Sequence, residues 1–350
     1  RPQVDQVIKG LMVVNTALGV IVPAAVSRAA TLLPIVRGIM DLGIVIVSFN
    51  TRELICDCLD SVYRALRSSD LKAHVWVVDN ASRDGSVEAI RARFPQATLI
   101  ASAENLGFAR GNNLAFERIA QGGDLPRYVL LLNPDTLVPA DAFAQMVAFL
   151  DEHPRVGAVG AQLAYADGSF QHGAFHFPTL WMALFDFWPI NHRLLDSRLN
   201  GRYPRRWYEA GEPFPIDHPL GAAMMIRWEA LQRVGALDAG YFMYCEEIDW
   251  CHRLKAAGWE IYCVPRAKIV HLGGQSARQF RDEMFVALWR SRYRLFEKYY
   301  SRLYQALVRV IVRAGLASAS RRVRESLRKG EIGEQEARAR LMAYQRVMEM

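Results

Sequence analysis

The sequence predicts an α/β protein: a doubly wound, mostly parallel sheet flanked by helices, with a basic helical extension at the C-terminal end. Three observations predict it. Short continuous apolar runs rich in β-branched residues alternate with segments whose apolar residues recur at helical spacing, which is the pattern of βαβ units. Three of the apolar runs end in polar residues, at Ser48 and Asn50, Asp79 and Asn80, and Asn133 and Asp135. Residues 278–350 carry 17 Lys/Arg against 8 Asp/Glu, so the formal net charge of +7 belongs to that tail and the remainder of the chain is close to neutral.

The elements follow in order. LGIVIVSFN, starting at Leu42, reads as a strand covered on both faces, and ELICDCLDSVYRAL as the helix after it. HVWVVDNAS and ATLIASAEN are further strands, separated by a helix at SVEAIRARF. GFARGNNLAFERIA reads as a helix and RYVLLLNPDT as a strand closing on a carboxylate. Beyond about residue 155 the strands shorten, and Pro178 to Pro215 is aromatic, Pro-rich and irregular. LGAAMMIRWEALQRVGALD predicts strand then helix, YFMYCEEIDWCHRLKAAGW a loop feeding a helix, and EIYCVPRAKIVHL the closing strands. From Met284 to Ala319 basic residues alternate with aromatic or aliphatic ones at helical spacing.

This divides the chain into an apolar leader at 1–40, an α/β domain at 41–277 whose two halves meet at 140/141, and a basic amphipathic helical tail at 278–350. The leader holds 18 uncharged residues between Lys9 and Arg28, short of the roughly 20 that span a bilayer. Membrane association and simple packing both remain open for it. A chain of 350 residues, 51% hydrophobic, buries a full core, which argues against disorder. Five cysteines without a CxxC pair argue against a disulfide framework or a structural zinc site.

In an open α/β sheet the ligand lies at the carboxyl ends of the strands, so the three polar endings point to a single site. Neither G-x-G-x-x-G nor G-x-x-x-x-G-K-[ST] occurs, which removes dinucleotide and P-loop chemistry. Diphosphate would then need a cation. Asp135, delivered by a rigid strand, offers oxygen to Mg2+ or Mn2+, and His271 at another strand end could complete the shell. An Asn-Pro-Asp turn and a structural histidine are the competing readings. Glu246, Glu247 and Asp249 cluster at a helix start, where capping and the helix dipole already favour acids. The aromatic loop Tyr241 to Tyr244 before them adds walls that raise a carboxyl pKa, which suits a general base, with Glu247 the choice and Glu246 or Asp249 orienting the acceptor or nearby loops. Asp79 could accept from a pyrimidine N3–H or a ribose hydroxyl, against an ordinary Asx turn. Asn105, Gly107, Phe108, Gly111 and Asn112 form a Gly/Asn loop whose amides could face the donor.

Taken together, IVIVSFN, VVDNASRDGS, ENLGFARGNN, LLLNPDT, GAAMMIRWEAL, VGALDAGYFMYCEEIDWCHRL and VHLGG resemble the family 2 glycosyltransferases of GT-A fold, and among them the rhamnosyltransferase-like branch. The resemblance covers roughly residues 43–275 and implies that 41–277 is the catalytic domain, with 41–140 its nucleotide-sugar-binding half and 141–277 its acceptor half. It implies an inverting single displacement, a nucleotide-diphosphate donor with dTDP or UDP favoured, and a divalent cation, Mg2+ or Mn2+. By position, Ser48, Asn50, Asp79, Asn80, Asn105, Gly107, Phe108, Asn112 and Asn133 fall to the donor. Asp135 and His271 fall to the metal, and Glu247, with Glu246 and Asp249, to catalysis. Two departures stand out: Asn133 replaces the first Asp of the family's D-x-D, and Glu247 replaces the usual Asp, setting the base one methylene farther out. The Q-x-x-R-W motif of processive synthases is missing, which favours single addition.

The expected acceptor is a glycan or lipid-linked glycan in cell-surface polysaccharide synthesis, at the cytoplasmic face of the membrane, with no nucleic-acid partner. For the tail two placements compete. Trp289, Tyr293, Phe296 and Tyr300 could rest in a membrane interface with Arg290, Arg292, Arg294 and Lys298 on phosphates, or the helices could pack on the domain or on a second subunit. A catalytically silent sugar-nucleotide-binding scaffold is the rival from another class. A nucleotidyltransferase ranks last because Ser48-Phe49-Asn50-Thr51 is not a Gly/Arg/Lys-rich loop.

Overall fold

The computed structural model describes residues 40–188, 192–273 and 280–350, so the predicted leader, apart from Met40, lies outside the described residues. Strand β1 (Met40–Ser48) lies between β2 (Ala73–Asp79) and β4 (Pro126–Leu132), parallel to both, and β3 (Thr98–Ala101) lies parallel on the outside of β2. β6 (Val156–Ala164) and β12 (Glu260–His271) run parallel to each other. Between β4 and β6 lies β11 (Ala223–Arg227), antiparallel to both. The short strands β5 (Thr136–Leu137), β7 (Phe170–Gln171) and β9 (Phe214–Pro215) extend this sheet, while β8 (Ala174–Phe175) pairs with β10 (His218–Pro219) apart from it.

The period-2 alternation of a strand decides which helix covers which face. On β1, Leu42, Ile44 and Ile46 pack beneath α1 (Arg52–Arg67), α2 (Ser86–Arg93) and α4 (Ala142–Glu152). Val45 points the other way, toward α3 (Gly107–Gln121), α8 (Trp228–Val234) and α9 (Glu246–Ala256). Each such side chain is fully buried and contributes about 1.5–3 kcal/mol. The chain leaves β1 toward β2 on one side and reaches β4 on the other, so the crevice for a ligand opens at the end of β1, beside Ser48. The irregular stretch holds α5 (Leu180–Phe185), α6 (His192–Leu195) and α7 (Arg205–Glu209).

The tail forms α10 (Arg281–Tyr299), α11 (Arg302–Arg328) and α12 (Glu334–Met348). Trp289, Tyr293, Phe296, Val308, Val312 and Leu316 build a core of their own with Phe187. This settles the tail's aromatic residues against the bilayer: Trp289 is 1% exposed and Phe296 2%, and the Tyr300 hydroxyl donates to Pro178 O at 2.8 Å. Large rings bury so much area that an available protein surface takes them. Three of the four cations assigned to lipid phosphates are also engaged, Arg292 with Asp186, Arg294 with Asp238, and Lys298 with Asp249 and Asp238. Among the described residues no helix is long and apolar enough to cross a membrane, and all five cysteines are buried and unbridged.

Candidate active site

A cavity of about 470 Å³ opens at the carboxyl end of β1. Ser48, Asn80, Asn105 and Gly107 lie on one wall, Asn133, Asp135 and His271 on another, and Glu246 and Glu247 on a third. The backbone brings these distant segments together. Asn80 N–H donates to Ser48 O, Asn133 N–H to Ala222 O, and Leu272 N–H to Asp135 O.

The first wall is held by short polar contacts. Ser48 Oγ lies 2.9 Å from Thr51 Oγ1, and Asn80 Nδ2 donates to Gly107 O at 3.1 Å. Asn105 Oδ1 accepts from Gly107 N–H at 3.0 Å. Gly107 has φ +75°, and a Cβ there would lie 2.1 Å from Phe242 O, so only glycine lets the donor loop touch the aromatic loop 241–244. Phe108 N–H seals that contact on Phe242 O at 2.8 Å. Other predicted donor residues stand behind the wall. Asn50 holds the neighbouring loop, its Oδ1 accepting from Arg83 N–H and its own N–H reaching Ser82 Oγ. Asp79 is 1% exposed and accepts from Ser82 N–H through Oδ2, while Oδ1 has no partner among the described residues. Asn112 Nδ2 donates to Phe108 O within its helix.

On the second wall Asp135 Oδ1 and His271 Nε2 are 3.4 Å apart and both residues are buried. β5 pairs with β12 at this point, which fixes Thr136 opposite His271. Gln171 Oε1 lies 3.2 Å from Nδ1, and in the tautomer that donates Nδ1–H there the Nε2 lone pair faces Asp135 and Asn133. A lone pair facing a carboxylate is repulsive without something positive between them, so the donor set fits a hard or borderline divalent cation. Among the described residues no third His, Cys, Asp or Glu joins the pair, so such a cation would draw most of its shell from water and diphosphate oxygens.

The third wall starts from strained backbone. Tyr244 and Cys245 have φ of +71° and +66°, a conformation costing non-glycine residues about 1–3 kcal/mol each. The sharp entry points the first residues of α9 into the cavity. Glu246 and Glu247 are 4% and 8% exposed, and the Oε2 atom of each lacks a partner among the described residues. Burial pushes the Glu247 carboxyl up to about 7, and burial together with the Glu247 charge holds Glu246 well above the usual carboxylate range. Asp249 does not join them. A helix turns by about 100° per residue, so two positions on it faces away from the cavity. There Arg253 Nε at 3.0 Å, the Tyr299 hydroxyl at 3.0 Å and the Lys298 ammonium surround it.

The sequence reading missed residues from the tail. Phe280, Glu283 and Met284 line the cavity, and Phe280 lies 6.0 Å from the Phe49 ring. α10 also grips the segment that carries Glu246 and Glu247: Ser291 Oγ donates to Met243 O at 2.7 Å, and Lys298 and Tyr299 hold Asp249. Nothing in the helical spacing of 281–299 signals those contacts, because they depend on where the helix docks. Gly221 on the floor, 3.8 Å from Glu247 through a notional Cβ, lay within the quoted GAAMM stretch without a role.

A crevice at the strand ends, lined by a high-pKa carboxylate and an Asp–His pair, is an arrangement suited to group transfer. The model for glycosyl transferase family 2 matches residues 43–228, and the chain belongs to that family. It is a glycosyltransferase, similar to rhamnosyltransferases. It is 29% identical over 267 residues to the N-acetylglucosaminyl-diphospho-decaprenol L-rhamnosyltransferase of Mycobacterium tuberculosis, covering 73% of this chain and 85% of that one. Rhamnosyltransferase WbbL of Escherichia coli is 26% identical over 187 residues, 51% of this chain and 66% of its own. Among solved structures, the mannosyltransferase PcManGT from Pyrobaculum calidifontis, in complex with GDP-Man and Mn2+, aligns with a TM-score of 0.50 at 17% identity, covering 89% of this chain and 86% of that one. The fold is accordingly GT-A.

Proposed function

We propose that the protein transfers rhamnose from a nucleotide-diphosphate donor, dTDP or UDP, to a hydroxyl of a lipid-linked glycan, with inversion at the anomeric carbon. The observation carrying this reading is that Glu247 and the Asp135–His271 pair line one cavity from different walls. The acceptor oxygen attacks the anomeric carbon, the bond from that carbon to the diphosphate oxygen breaks, and the hydroxyl proton passes to a Glu247 carboxylate oxygen. A carboxyl with a pKa near 7 is half ionised at neutral pH and strong enough as a base to take the proton as the bond forms. Asp135 and His271 would hold Mg2+ or Mn2+, which supplies a Lewis acid for the departing diphosphate. Asn80 and Asn105 shape the donor side, and the unpaired Asp79 Oδ1 lies just behind it.

The acceptor and the cell-surface role are inferred from the mycobacterial relative, whose name specifies a decaprenol-diphosphate-linked acceptor. The test is nucleoside diphosphate release from dTDP-rhamnose with a prenyl-diphosphate-linked N-acetylglucosamine. Wild-type turnover that is lost in Glu247→Gln, with donor binding retained, is the expected result. Donor binding without turnover on any lipid-linked acceptor would replace this reading with a silent scaffold.

A further inference from the structure

α11 has two finished faces, and only one of them has a partner in the fold. Val308, Val312, Leu316 and Val323 point inward and are buried, and the Phe187 ring lies over Gly315. On the opposite side Leu303, Leu307 and Val310 are 71%, 42% and 65% exposed. Ala314, Ala317 and Arg321 continue the row, also exposed. The steps between these positions alternate between four and three residues, which keeps all six on one stripe of an α-helix. From Leu303 to Arg321, at 1.5 Å per residue, the stripe is about 27 Å long. Trp181, 54% exposed, belongs to the segment that runs alongside the helix from Tyr304, bonded to Pro178 O, to Gly315 under Phe187.

The charge beside this stripe is of one sign. From Arg302 to Arg324 the helix contains six arginines and no carboxylate, the first being Glu325. Arg302, Arg313, Arg321 and Arg324 are exposed, and none makes a salt bridge among the described residues. A second copy of this chain is a poor occupant, because a twofold contact would lay the arginine row against itself. Anionic headgroups satisfy both features, taking the aliphatic side chains into the acyl boundary and the guanidinium groups onto phosphate.

We propose that the outer face of α11 docks flat on an anionic lipid bilayer, with Leu303, Leu307 and Val310 inserted and Arg302, Arg313 and Arg321 on the headgroups. Part of this deepens the lipid-linked acceptor reading: α10 carries cavity-lining residues in its first turn and packs on α11 farther along, so docking would bring the site to its substrate's membrane. The surface itself is argued from exposure and charge.

The test is flotation of the full chain with phosphatidylcholine vesicles, with and without a minor share of phosphatidylglycerol. Wild type should float with the anionic vesicles and be largely released by high salt, which shortens the screening length. Leu303→Glu/Val310→Glu and Arg313→Glu/Arg321→Glu should each lose at least tenfold in partitioning, with unchanged circular dichroism. Their turnover on a short-chain, water-soluble acceptor should match wild type. Equal flotation of wild type and both variants would overturn the proposal. So would a wild-type dimer that the same substitutions convert to monomer. If wild type floats as expected but shows no transfer to either acceptor, the proposed function fails and the docking surface stands.

Discussion

Replacing Glu247 by Gln removes the ionisable proton acceptor while keeping size and shape, and two independent consequences follow. The first is kinetic. A positioned general base contributes about 10²–10⁴-fold, so kcat should fall by that factor with donor KM changing only a few-fold. The second concerns stability. A carboxyl that stays protonated to about pH 7 instead of 4.5 binds its proton more tightly in the folded state than in the unfolded chain. Between those two values the native protein holds the extra proton, so its stability declines as pH rises through the window and the loss is complete above pH 7. The penalty is about 3 kcal/mol for the ionised, unpaired group. Gln carries none of it. Thermal unfolding of apo protein at pH 5 should therefore show little difference between wild type and variant, while at pH 8 the variant should melt several degrees higher. Wild-type kcat/KM should rise with pH to a plateau above about 7. Unchanged turnover in the variant, or the same difference in melting temperature at both pH values, would refute the assignment of Glu247 as a buried base.

Three further expectations come from the same walls. Gly107→Ala places a Cβ 2.1 Å from Phe242 O at a φ of +75°, so the protein should lose about 2–4 kcal/mol by chemical denaturation, and protection by nucleoside diphosphate in a thermal shift should weaken. Asp135→Ala and His271→Ala should each raise the Mn2+ concentration needed for half-maximal transfer by tenfold or more, read by titration after chelation. Activity indifferent to both substitutions and to chelator would end the metal assignment. Lys298→Met strips one cation from the fully buried Asp249, and because Arg253 and Tyr299 remain, a loss of about 1–3 kcal/mol is expected. kcat should fall more than KM rises, as the helix bearing Glu247 loosens.

The sheet was legible because its strands are covered on both faces and so appear as unbroken apolar runs, and because polar residues mark where Ser48, Asp79 and Asn133 end them. Asp135, His271 and Glu247 could be placed at strand and helix ends by the same logic. Their side-chain directions could not. Asp249 was grouped with two glutamates by proximity in sequence, yet a turn of about 200° sends it to Lys298, and only the helical period taken residue by residue would have separated them. The tail misled differently. Trp289 and Phe296 alternate with arginines as they would at a membrane, and one sequence cannot distinguish lipid from a protein surface built by Phe187, about a hundred residues away. Phe187 belongs to the irregular stretch, where no periodicity announces a packing partner.

Several local costs in this molecule meet at one place. Tyr244 and Cys245 occupy left-handed backbone, Glu246 and Glu247 are buried without partners for Oε2 among the described residues, and Asp135 and His271 are buried together 3.4 Å apart. A bound substrate would answer two of these: a hydroxyl would supply the hydrogen bond that Glu247 Oε2 lacks, and a divalent cation would be held by Asp135 and His271. Strain and unsatisfied groups scattered through a fold would simply lower its stability. Gathered around one cavity, and braced from behind by Ser291 on Met243 and Lys298 on Asp249, they describe a site held ready for ligand by the helices outside it. The tail therefore lines and braces the cavity through its inner contacts, and α11 turns a different face outward.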